Sequence, residues 1–116
     1  MDSRKENWKY FRDTYPDIYK AYDEFGKALR EKGGPLSERD CCLIKIGVAA
    51  ASQFDYALRS HVERALEAGC TLPEIEHAIL LTATTAGFPR MMSALMVFRD
   101  EAGHGSDLTT TPQEAP

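Results

Sequence analysis

Six residues, Gly69-Cys-Thr-Leu-Pro-Glu74, close one helix and open another. A glycine just past a helical run lets the chain turn left-handed and leave the helix. Thr71 then offers its hydroxyl to the next backbone N–H groups, with Pro73 in the first turn and Glu74 at the capping-box position. The same punctuation recurs along the chain. Gly33-Gly34-Pro35 ends a run from Pro16 to Lys32, and Ser37 opens a helix over residues 38–52 with Asp40 three residues on. Pro89 opens a last helix that Gly103 ends. Between these marks Ile18, Tyr19, Tyr22, Phe25, Ala28 and Leu29, then Ile75, Ile79, Leu80 and Ala83, recur at helical spacing, and strand signals are almost absent. The expected architecture is all-α, five to six helices with short connections, in a single domain over residues 1–103. A short helix through residues 6–14 precedes the first long one. Residues 104–116 read as a flexible tail, poor in apolar residues.

Three helices are apolar on more than one face: the one capped by Ser37, the one capped by Thr71, and the last, with Met91, Met92 and Met96. A chain of 116 residues cannot hide that much apolar surface alone, so a helical homo-oligomer is expected. Gly47, inside the Ser37-capped helix, would let another backbone approach closely.

Charge and composition exclude several functions. The net charge of -4, with no basic cluster, argues against a nucleic-acid partner. The longest apolar run, residues 43–51, is short and contains Lys45, so no membrane partner is expected. The first eleven residues have no apolar signal core, which points to the cytoplasm. Cys41, Cys42 and Cys70 are odd in number, two of them adjacent, and read as free thiols. His61, His77 and His104 form no recognised ligand spacing with them, so neither a metal nor a cofactor is expected.

His61 is the residue that raises a functional question. On its helix it shares a face with Phe54, Ala57, Leu58, Ala65 and Ala68. That face suits a catalytic group in a pocket or a core histidine with a hydrogen-bond partner.

The order of these motifs resembles the carboxymuconolactone decarboxylase family, whose superfamily includes the AhpD-type alkylhydroperoxidases. The resemblance covers roughly Tyr15 to Arg99. It is carried by "HVERALEAGCTLPEI" and "GFPRMMSAL", following "YPDIYKAYDEFGKALREKGGPLSERDCCLIKIGVAAA". It implies an AhpD-like helical fold assembling as trimers or hexamers. In the family's redox branch a Cys-x-x-Cys pair precedes the histidine by four positions, and a glutamate on the preceding helix completes a proton relay. Here Phe54 and Ala57 stand in the cysteine places and Cys42 stands in the glutamate place, so only His61 is kept.

Three readings follow. In the first, the protein is a non-redox enzyme acting on a carboxylated, lactone-type small molecule, with His61 giving or taking the proton. Arg59 or Arg90 would bind the carboxylate, and Phe54 and Ala57 would contact the substrate. In the second, Cys42 is a peroxidatic thiol activated by His61. A hairpin about Gln53 would bring the two within about 5 Å in level. In the third, the protein is a non-catalytic oligomer that binds a ligand, and His61 is a core residue.

Overall fold

The computed structural model describes residues 3–103; the tail reading at 104–116 lies outside the described residues. Six α-helices are formed: α1 (Ser3–Thr14), α2 (Pro16–Lys32), α3 (Glu38–Ser52), α4 (Asp55–Glu67), α5 (Leu72–Leu80) and α6 (Phe88–Gly103). A 3₁₀ turn, Leu81–Thr84, extends α5, and no strand occurs among the described residues. The all-α expectation is met, and α2 and α3 begin and end where the sequence marks them.

The helices fall into two compact units, α1–α2 and α3–α6. In the first, Trp8 of α1 meets Tyr19 edge-on at 5.6 Å and Tyr22 at 6.1 Å, and Phe11 meets Tyr19 at 6.4 Å. These rings join the two helices by edge-to-face contact. Neither helix has a fully buried residue, and Ile18, Phe25 and Leu29 stay exposed.

The second unit has a continuous core. Ile46 of α3, Leu58, Val62 and Ala65 of α4, and Ile75 and Ile79 of α5 are fully buried, closed by Met91, Ala94, Val97 and Phe98 of α6. On α4 the buried positions fall at i, i+4 and i+7, one stripe of the helix.

Several helix boundaries in this unit have a visible cause. The Ser37 hydroxyl accepts from the Asp40 N–H at 3.1 Å, opening α3. At α5 the Glu74 N–H donates to Thr71 Oγ1 at 3.2 Å, and the Thr71 N–H donates back to Glu74 Oε1 at 2.8 Å. The buried Thr82 hydroxyl donates to the Ile79 carbonyl at 2.7 Å, one turn back. Gly69, with φ +98°, ends α4: the Cys70 N–H reaches the Ala65 carbonyl and the Gly69 N–H reaches that of Leu66.

Two features of α3 stand out. Of its apolar residues only Ile46, Ala49 and Ala50 are buried within the chain, while Ile44 and Val48 face outward. Its partners α4, α5 and α6 lie against one face and leave the opposite one open. Gly47 is not a close-approach point within the chain either, since a Cβ there would meet nothing within 4 Å.

Candidate active site

The site is built on the α3–α4 hairpin. The chain turns through Gln53, held left-handed at φ 59°, and Phe54, which precedes the first residue of α4. The Phe54 N–H donates to the Ala49 carbonyl at 3.1 Å and the Gln53 N–H to that of Ala50 at 3.2 Å, the same double closure that ends α4. Two residues of connection fold the helices back on each other and fix their register.

His61 is half-buried, in a row with Ala57, Arg64 and Ala68 that flanks the buried stripe of α4. Burial lowers the pKa of its ring from the ordinary 6.5; the nearby cations Arg64 and Lys45 lower it further. At neutral pH the ring is therefore an uncharged imidazole, able to accept a proton at once. No side-chain hydrogen bond or ion pair joins His61 to another described residue. The partner expected of a core histidine is thus not found among them.

Cys42 is half-buried on α3, against the core. Its thiol pKa is raised, chiefly by burial and then by Cys70 and Glu38, with Lys45 acting the other way. The principal charges acting on it do not include His61. These surroundings keep Cys42 a protonated thiol at neutral pH. Cys70 is buried and points its thiol at the Arg39 carbonyl, 3.8 Å away.

The four residues expected to touch substrate are spread apart in environment. Ala57 is half-buried against the core beside His61. Phe54 lies outside the helix proper with 64% of its surface exposed. Arg59 donates from Nη1 to Asp100 at 2.8 Å and lies 3.5 Å from Glu101, so its charge is met by two carboxylates of α6. Arg90 donates from Nη1 to the Ala51 carbonyl at 2.8 Å and caps the end of α3. The cations that act on His61 are Lys45 and Arg64, and the sequence analysis placed neither at the site. Helical spacing held the signal for Arg64, since i+3 shares a face with i while Arg59, at i−2, does not.

A family match decides what kind of chain carries this hairpin: the model of the carboxymuconolactone decarboxylase family matches residues 16–100. The chain belongs to the carboxymuconolactone decarboxylase family. No curated protein and no solved structure matched it. The family match spans α2 to nearly the end of α6 and leaves α1 outside. In this carboxymuconolactone decarboxylase family member neither Phe54 nor Ala57 carries a thiol, so the two cannot form a disulfide. Among the described residues no group of three or more His, Cys, Asp or Glu could hold a metal ion, and no helix is long and apolar enough to cross a membrane.

Proposed function

We propose that this protein is a non-redox enzyme of its family, acting on a carboxylated, lactone-type small molecule with His61 as the proton donor and acceptor. The observation that carries the reading is a half-buried imidazole, uncharged at neutral pH and without a side-chain partner among the described residues. In decarboxylation the carbon–carboxylate bond breaks, carbon dioxide leaves, and the electron pair spreads into the unsaturated lactone. The protonated ring of His61 then delivers its proton to that carbon and recovers one from solvent. A ring that moves a proton in both directions needs a pKa close to the working pH, which few other side chains offer.

The exposed apolar faces of α3 and α6 favour a homo-oligomer, and the family resemblance supports a trimer or hexamer. Three free thiols suit a reducing cytoplasm.

The test is turnover of a carboxylated unsaturated lactone, followed as carbon dioxide release, in the parent, His61→Gln and Cys42→Ser. Loss of about a hundredfold or more in kcat is expected for His61→Gln, the usual scale of a general acid–base group. Cys42→Ser is expected to keep parental activity. Turnover that survives in folded His61→Gln would sink the assignment. Dithiol-dependent peroxide turnover that vanishes with Cys42→Ser would replace it with thiol chemistry.

A further inference from the structure

Lys45 and His61 are level with each other across the hairpin. Lys45 lies eight residues before Gln53 and His61 eight residues after it. At 1.5 Å per residue each is about 12 Å along its helix from the turn. Arg64, three residues beyond His61, lies on the same face of α4, one turn further along. Lys45 is half-buried, and no hydrogen bond or ion pair joins its side chain, or that of Arg64, to another described residue. With the Lys45 stem partly buried on α3 and Arg64 on the His61 face of α4, an anion placed between the two helices would meet both cations.

Arg59 and Arg90 are differently placed, as their donors already serve Asp100 and the Ala51 carbonyl. α4 packs against α3, α5 and α6, yet among the described residues the charges that shift the imidazole are Arg64 of its own helix and Lys45 of α3. The surroundings of the ring are therefore cationic and uncompensated among the described residues.

We propose that Lys45 of α3 and Arg64 of α4 form, beside His61, the anion site that holds the carboxylate of the substrate. The inference rests on the carboxylate-acting reading above and names the residues that bind that group. It also resolves a difficulty in that reading: a proton donor must be charged, while burial and two cations hold the empty ring neutral. A bound carboxylate cancels the cations and favours the imidazolium, so anion binding and proton uptake at His61 are linked and reciprocal. The substrate would thus bring the ring to the form that can protonate the product carbon.

The linkage can be measured without knowing the substrate. The full chain is titrated by NMR of its histidine ring protons in succinate, and separately in benzoate, against chloride at equal ionic strength. The His61 midpoint is expected to rise saturably by about one pH unit, the lower end of the effect of a nearby opposite charge. His77, exposed on α5, serves as the internal control and is expected to stay put. In Lys45→Met, which keeps the apolar stem, the carboxylate effect should be lost and the midpoint without carboxylate should move up. Arg64→Gln, at an exposed position, should show both changes to a smaller degree and guards against a folding defect in the first variant. No carboxylate effect at His61, an equal effect at His77, or an undiminished effect in folded Lys45→Met would each overturn the proposal. A lysine-dependent effect in a protein that turns over no lactone would support the anion site and remove the decarboxylase reading alone.

Discussion

Gln53 holds a left-handed backbone at φ 59° where Gly69, in the same type of helix ending, uses glycine at φ +98°. A side chain in that region costs roughly 1–2 kcal/mol, and glycine returns part of the saving as lost chain entropy. Gln53→Gly is therefore expected to raise stability by about 0.5–1 kcal/mol in urea unfolding. His61 gives a second expectation at this scale. Its folded pKa is depressed, so the unfolded chain binds the proton more readily. Stability should fall as pH drops through the ordinary value of 6.5, and the penalty should stop growing below the folded pKa. In His61→Gln this loss between pH 7 and pH 5 should be smaller than in the parent, as read from unfolding curves at each pH.

At the scale of elements, the helix boundaries were legible because their causes are local. Thr71, Pro73 and Glu74 act within four residues, and the structure contains the reciprocal pair they imply. What the helices touch was less legible. An apolar residue on α3 reads the same whether its face meets α4 or faces out, so Ile44 and Val48 could not be told from Ile46. The surroundings of the cations were hard to read for a related reason. Arg59 is near His61 in sequence but turned toward α6, whereas Lys45 reaches it only through the register of the hairpin. That register is readable about Gln53, and it brings Lys45 closer in level to His61 than Cys42. Gly47, on the open side of α3, offers a check. Gly47→Ala meets no steric obstacle within the chain, so helix propensity alone predicts a gain of about 1 kcal/mol in unfolding free energy. A loss of stability at concentrations that favour assembly would reveal a second backbone packed there.

For the molecule as a whole, the open question is what covers Phe88, Met92 and Met96, which repeat every four residues along the outside of α6. They are 60%, 46% and 68% exposed, while Met91, Ala94 and Phe98 of the same helix are buried. A stripe of that kind is what a self-associating helix presents. Replacing Met92 and Met96 by lysine is expected to weaken self-association at least tenfold in sedimentation velocity, because one desolvated hot-spot side chain carries more than that. The unfolding midpoint of dilute protein should barely move, as neither side chain is in the core.

The two ends of α3 are braced from outside the hairpin. At its start Arg39 grips Glu74 on α5, and at its end Ala51 is gripped by Arg90 of α6. Lys45 sits midway along this braced rod, so its alignment with His61 depends on two corner ties as well as on the loop at Gln53. The ties differ in kind. The Arg39–Glu74 pair is open to solvent and weakens as salt screens it, while the bond from Arg90 ends on a neutral carbonyl. Rising ionic strength should therefore weaken one tie and spare the other, while the buried Ile46, Ala49 and Ala50 keep Lys45 in register with His61.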